Sequence, residues 1–347
     1  MAHVRTSAGG LKDRIDHSAL GPPARAMWRA GWTLRRAAER ATTRTGARFL
    51  YGRHARELPR MEYPPGHYHS PIPSAAEVDT FTRHDAPPPL GLPGIDLRRE
   101  EQLTRLEEMR PYYDELPFTA DDGRTRTRYR VANDFFPAAD ALALYGMLRH
   151  LRPRRIVEVG SGWSTCVMLD TAERLLHPAP ELLLFEPFPE RLLELVRPGD
   201  EERFTLERTT LQDAPLGAFR SLEADDILFV DSTHVAKVGS DVNRLLFEIL
   251  PALAPGVYVH VHDVPYPFEY SAQWIGGGRF WNEAYVVRAF LEYNSMFEIA
   301  LFVDYLRRTA RPELARCHPM FVSGASEGPD RGGAGSLWLR RRDEASS

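Results

Sequence analysis

The sequence predicts an α/β protein built on a mostly parallel sheet with helices on both faces, preceded by an N-terminal helical and irregular extension. Three observations carry this prediction. From about Ala138 onward, short β-rich apolar runs alternate with helix-length amphipathic segments, the pattern of parallel strands joined by crossover helices. One of these runs, Arg155-Ile-Val-Glu-Val159, leads into a glycine turn that opens a helix. The preceding residues lack the alternation, being Arg-rich over 1–60 and Pro-rich over 61–96. The expected organisation is an extension over residues 1–96, placed to cap an active site, and a domain over 97–347.

Taken in order, Leu103, Leu106 and Met109 form a 3/4-spaced stripe that predicts a helix from Leu97 to a stop at Pro111. Ala138–Leu151 reads as a helix with Leu142, Leu144, Met147 and Leu148 on its apolar side. Strands are expected at Arg155–Val159, Leu182–Phe185, Phe204–Leu206, Ile227–Val230 and Val257–Val261. Helices are expected through Val167–Leu176, around Leu192–Leu195, and over Ser240–Leu253, the last stopped by Pro255-Gly256. Phe297–Val303 and Ser336–Leu339 are further strand candidates.

Composition narrows the class. Hydrophobic and charged fractions of 43% and 27% are those of an ordinary soluble domain. No apolar run approaches the roughly 20 residues that span a bilayer, and the N-terminus has no signal-peptide apolar core. Two cysteines, Cys166 and Cys317, match neither a disulfide framework nor a zinc-finger spacing. A cytoplasmic protein is expected. The net charge of −4 hides an asymmetry, with 13 Arg/Lys against 4 Asp/Glu in residues 1–60. Within that arm, Ala24–Leu50 reads as a helix that either packs its aromatic side on the body or meets an anionic surface. The remaining chain is acidic, which argues against a nucleic-acid partner. A homo-oligomer is left open.

The turn Glu158-Val-Gly160-Ser161-Gly162-Trp-Ser164 follows a strand and precedes a helix. Its glycines permit a tight turn with no side chain blocking a ligand, and the helix start offers free N–H groups. Thr165 occupies the place where a third glycine of a dinucleotide fingerprint would stand. Glu186 ends the next strand, where a carboxylate can accept from both hydroxyls of a ribose. Asp231 and Asp263 end later strands at the same sheet edge, and two such carboxylates can hold a hard divalent cation, Mg²⁺ above all. His234, three residues beyond Asp231, has the titration range of a general base. Gly276–Glu283 reads as a Gly-rich lid, while Gly66–Pro73, with His67 and His69, reads as a loop over the same edge. Tyr129, Asn133 and Asp140 precede the first strand.

From Asn133 to about Leu306 the chain resembles class I S-adenosylmethionine (SAM)-dependent methyltransferases, in particular the bacterial group containing metal-dependent macrolide-sugar O-methyltransferases. The resemblance rests on Glu158–Ser164, Glu186, Asp231-Ser-Thr-His234 and His262-Asp263. It implies a Rossmann-like sheet whose two C-terminal strands form an antiparallel edge. SAM would be bound by Glu158, Gly160, Ser161, Gly162, Ser164, Glu186, Gln212, Asp213 and Asp231, with Gln212 and Asp213 near adenine. It also implies a divalent metal on Asp231, His262 and Asp263, and His234 as the base acting on a small-molecule or sugar hydroxyl. His262 departs from the group, which carries a carboxylate there, and imidazole suits transition metals better than Mg²⁺. Two alternatives stay open: a metal-independent methyltransferase, and a non-catalytic SAM- or partner-binding protein on the same scaffold.

Overall fold

The computed structural model describes residues 62–63, 65–81, 88–118, 127–323 and 335–343. The Arg-rich segment 1–60 and its Ala24–Leu50 helix lie outside the described residues. The chain divides into two compact units, 1–73 and 74–347. In the smaller unit, the Gly66 amide donates to the Ile72 carbonyl at 2.9 Å, and the Tyr63 and His67 rings stack at 4.6 Å.

The larger unit is a seven-stranded sheet in the order β3-β2-β1-β4-β5-β7-β6. Its strands are β1 (Arg155–Val159), β2 (Glu181–Phe185), β3 (Thr205–Glu207), β4 (Ile227–Val230), β5 (Tyr258–Val261), β6 (Phe297–Phe302) and β7 (Leu337–Arg341). Strands β1 to β5 pair in parallel, while β7 runs antiparallel to both β5 and β6. The expected strands and the antiparallel C-terminal edge are all present. Every residue of β4 and β5 is buried, as strands covered on both faces must be. Strand order reverses between β1 and β4. Right-handed crossovers leaving in opposite directions from that point put helices on opposite faces and open a crevice above it.

The helices are α1 (Ala75–Phe81), α2 (Arg99–Met109), α3 (Ala138–Leu151), α4 (Trp163–Leu175), α5 (Glu190–Leu195), α6 (Leu216–Arg220), α7 (Asp241–Arg244), α8 (Ala272–Gly276), α9 (Glu283–Leu291), α10 (Val303–Thr309) and α11 (Arg311–Cys317). Helix α3 is buried from Ala139 to Met147 and beyond, so it is a core helix rather than a surface one. Helix α2 ends at Met109, ahead of Pro111 as expected; Pro111 then sits at the start of a 3₁₀ segment, Arg110–Glu115, where its missing N–H is harmless. The helix expected over Ser240–Leu253 begins with Ser240 capping Asn243 but widens into a π segment at Leu245–Ile249 before a last turn, Leu250–Ala252. Pro251 explains the widening, since it cannot donate to Phe247 and its ring would collide with that carbonyl in a regular helix.

Residues 88–96 are tied to the larger unit. The Tyr266 hydroxyl donates to the Pro89 carbonyl at 2.5 Å, and the Tyr293 amide donates to Gly94 at 2.7 Å. Arg128 pins the segment before α3 onto α4. Its guanidinium, 1% exposed, donates to Asp170, Glu173 and Asp200 at 2.8, 2.9 and 2.5 Å. No helix among the described residues is long and apolar enough to cross a membrane.

Candidate active site

A cavity of about 860 Å³ lies above the reversal in strand order, within the usual size of a small-ligand site. The glycine turn forms its floor. Gly160 has φ +80°, and a Cβ there would lie 1.8 Å from the Asp231 carbonyl oxygen; only glycine lets the ends of β1 and β4 meet so closely. At Gly162 the nearest atom to such a Cβ is Arg191 Cδ at 3.6 Å, so the missing side chain leaves room on the cavity side.

Glu158 is fully buried beneath the turn, not in the cavity. Its two oxygens accept from the Ser164 and Thr165 hydroxyls, each at 2.5 Å. Burial pushes its carboxyl up to about 8, against the pull of those two bonds. Glu158 thus braces the first turn of α4. Ser161, Gly162, Ser164 and Glu186 line the cavity. Glu186 accepts from the Ser161 amide at 3.1 Å and the Phe188 amide at 2.7 Å, which fixes its carboxylate at the end of β2. Gln212 and Asp213 do not line the cavity. Gln212 donates to the Gly239 carbonyl at 3.1 Å, and Asp213 accepts from the Thr210 hydroxyl at 2.9 Å. Asn133 does reach the cavity, whereas Tyr129 is bonded to the Phe136 carbonyl and Asp140 lies in the core.

Asp231, His234, His262 and Asp263 converge on one wall. His234 Nε2 is 3.4 Å from Asp231 Oδ1 and 3.7 Å from Asp263 Oδ2. His262 Nδ1 is 3.6 Å from an oxygen of each aspartate, and its Nε2 is 3.4 Å from Asp140 Oδ2. Asp140 is itself held by the Gly335 and Ser336 amides at 3.1 and 3.0 Å. His234 and Asp263 both have left-handed backbones, φ 60° and 55°, a strain of the kind that gathers at functional sites. His260 stays in the core, stacked on Phe229 at 3.9 Å with Nε2 3.0 Å from the Ser336 hydroxyl.

Glu283 is the residue that sequence reasoning missed. It is 1% exposed, and its Oε2 lies 2.8 Å from His234 Nδ1. The 234–236 loop and the start of α9 are laced together: the His234 carbonyl accepts from the Asn282 and Glu283 amides, and the Asn282 side chain bridges both backbone groups of Ala236. Burial works against a charge on His234, but its bonds to Asp231 and Glu283 outweigh burial and push it up to about 10. Burial likewise opposes charge on His262, yet Asp231 and Asp263 raise it well above the ordinary value. Asp231 is held far down despite burial, chiefly by the charge of His262. Burial raises Asp263 and Glu283, against the neighbouring imidazoles.

This charge pattern bears on the expected metal. Mg²⁺ takes oxygen ligands at about 2.0–2.1 Å in near-octahedral geometry. Here two imidazoles lie against the two carboxylates, and among the described residues no group of three or more His, Cys, Asp or Glu side chains is arranged to hold an ion. The arrangement of Asp231, His262 and Asp263 therefore does not fit Mg²⁺.

Beside this cluster, Trp281 lies 4.4 Å from the His234 ring, and Trp274 meets Trp281 at 5.1 Å. The segment expected to be a Gly-rich lid is an ordered turn. The amides of Gly277, Gly278 and Arg279 return to the carbonyls of Gln273, Ile275 and Trp274.

A family model described as a methyltransferase domain matches residues 157–264, which hold the glycine turn, Glu186 and the Asp231–Asp263 wall. A protein of Archaeoglobus fulgidus, described only as uncharacterized, is 34% identical over 175 residues, covering 48% of this chain and 76% of its own length. Among solved structures, the O-methyltransferase TomG from Streptomyces achromogenes, involved in tomaymycin synthesis and in complex with SAM, is similar at 18% identity. The match covers 70% of this chain and 90% of TomG, with a TM-score of 0.38. A structure named cmcI-D160 Mg-SAM is similar at 18% identity, covering 67% and 84% of the two chains with a TM-score of 0.34. At these scores the structural likenesses bear on neither site nor substrate.

Proposed function

We propose that this chain is a class I SAM-dependent methyltransferase that methylates a hydroxyl of a small molecule or sugar with His234 as general base. The observation that carries the reading is the buried His234–Glu283 pair at 2.8 Å. A carboxylate on Nδ1 fixes the tautomer and orientation of the ring, so that the other nitrogen does the proton transfer. That nitrogen, Nε2, is the one beside Asp231 and Asp263 at the cavity wall.

Several features support SAM on the glycine turn. The open side of Gly162 and the fixed carboxylate of Glu186 form a cradle for a ribose-bearing ligand. The hydroxyl oxygen of Ser232 is buried without a hydrogen-bond partner among the described residues, and Ser232 lines the cavity; buried hydroxyls normally find one. When bound, SAM supplies an electrophilic methyl group. The chain's own residues then hold the acceptor against Trp281, keep water away with the indoles, and take the hydroxyl proton onto His234 Nε2. Glu283 stabilises the resulting imidazolium from behind. The two buried free thiols accord with the cytoplasmic setting that this reading includes.

A second reading makes the reaction metal-dependent, with the ion on Asp231, His262 and Asp263. The donor types there, two carboxylates and an imidazole, suit a transition metal rather than Mg²⁺, but with His262 Nδ1 3.6 Å from each carboxylate the side chains would have to rearrange to hold an ion. Assaying methyl transfer to a panel of hydroxyl acceptors with and without chelator separates the two. Activity undiminished by EDTA supports the His234–Glu283 reading; loss restored by added metal supports the other.

A further inference from the structure

We propose that Arg279, set beside two indoles, anchors an anionic group of the acceptor. The acceptor is thus a ring compound bearing a carboxylate or phosphate besides the hydroxyl that reacts. Hydroxyl methylation at His234 is the reading on which this rests, but only for the identity of the reacting group.

Three observations build the site. First, the backbone of Arg279 is fixed. Its amide donates to the Trp274 carbonyl at 2.9 Å, after a reversal made possible by the left-handed Gly278, φ +84°. Second, the guanidinium stands 5.5 Å from the ring centres of both Trp274 and Trp281, close enough for cation–π attraction to each. Third, among the described residues Arg279 makes no ion pair and no side-chain hydrogen bond. Many surface arginines of the same domain are paired, for example Arg149 with Glu115 and Arg154 with Glu223, both at 2.6 Å. The guanidinium thus lies beside two indoles with its donors unpaired, and its donor fork matches a carboxylate or phosphate.

Position decides what the anion belongs to. Arg279, Trp274 and Trp281 line the same cavity as His234, and the Trp281 ring neighbours both His234, at 4.4 Å, and the guanidinium, at 5.5 Å. A ring lying along this wall can present a hydroxyl to His234 Nε2 at one end and an anionic group to Arg279 at the other. The other cavity arginine, Arg191, is stacked on Phe135 at 3.8 Å beside Gly162. It belongs to the glycine-turn side and is the natural control.

The test is calorimetric and needs no turnover. The full chain saturated with S-adenosylhomocysteine (SAH) is titrated with benzoate, phenyl phosphate and benzyl alcohol, which share a ring and differ in the charged group. At least one anion is expected to bind about tenfold or more tightly than the alcohol. Arg279→Gln should remove that preference, Arg279→Lys should keep part of it, and both should melt like the parent because the side chain is exposed. Equal binding of all three probes, or a preference that survives Arg279→Gln and disappears in Arg191→Gln, overturns the proposal. Failure of the hydroxyl-methylation reading would look different: anion preference intact, with no methyl transfer to any hydroxyl acceptor.

Discussion

Replacing Gly160 with alanine tests how the floor of the cavity is built. The new Cβ would sit 1.8 Å from the Asp231 carbonyl oxygen, whereas real Cβ contacts under 3.0 Å essentially do not occur, so backbone must move by about 1.2 Å. Neither side yields easily. The Gly160 amide donates to the Phe185 carbonyl at 3.1 Å, and the Asp231 amide donates to Val159 at 2.9 Å, so both segments are stitched into the sheet. The left-handed φ adds about 1–2 kcal/mol for any residue with a Cβ, and forced overpacking adds about 1–3 kcal/mol. The sum of about 2–5 kcal/mol corresponds to a fall in Tm of roughly 3–9 °C for a unit of this size. Gly162→Ala is the matched control. Its Cβ meets only Arg191 Cδ at 3.6 Å, so stability should change by less than about 0.5 kcal/mol while SAH affinity falls by about tenfold or more. Thermal melting and SAH calorimetry on the two variants decide the matter. A Gly160→Ala protein that melts within a degree of the parent, or a Gly162→Ala protein that loses as much stability as Gly160→Ala, refutes the reasoning.

Three further outcomes follow from the same geometry. Glu283→Gln keeps the size of the side chain but removes the charge behind His234 Nδ1, and should lower kcat by about 10²-fold or more with a smaller change in KM; rates within twofold of the parent would deny Glu283 its positioning role. Because His234 is raised to about 10 and must be neutral to accept a proton, kcat/KM should climb with pH from neutrality towards 10. The same shift contributes stability that is complete below about 6.5 and is lost as pH rises through 10, so Tm should fall over the range in which activity rises. A rate profile that is flat from pH 6 to 9 would contradict the assignment of His234 as base. Arg128→Ala strands Asp170 and Asp200, whose side chains are 0% and 4% exposed, and should cost about 3–5 kcal/mol in urea unfolding.

The legible part of the fold was local. Strand-length apolar runs and the glycine turn located β1, α4 and the end of β2 because backbone propensity and ligand-sized space are written in adjacent residues. The π segment after α7, Leu245–Ile249, is not legible in the sequence, because Pro251 acts through a carbonyl one turn earlier rather than by ending the helix. In the site, the positions after β1, β2, β4 and β5 came together as their sheet edge required. Glu158 was legible as a site residue but not as a brace, since Ser164 and Thr165 turn its carboxylate inward. Gln212 and Asp213 bond to loop partners instead of the cavity, a choice fixed by Gly239 and Thr210 rather than by their own type. Glu283 carried no signal of its role: an acid in the first turn of a helix has an ordinary capping and dipole explanation, and its partner is 49 residues away. The clamp of Asp140 on His262 joins α3 to β5 and is equally invisible along the chain.

The most direct test of the central claim is a crystal structure of the full chain with SAH. The ribose is predicted to lie at Glu186, over the Gly160–Ser164 turn, with the sulfur facing the wall formed by Asp231 and His234. SAH bound elsewhere, or absent from crystals grown at saturating concentration, would contradict it.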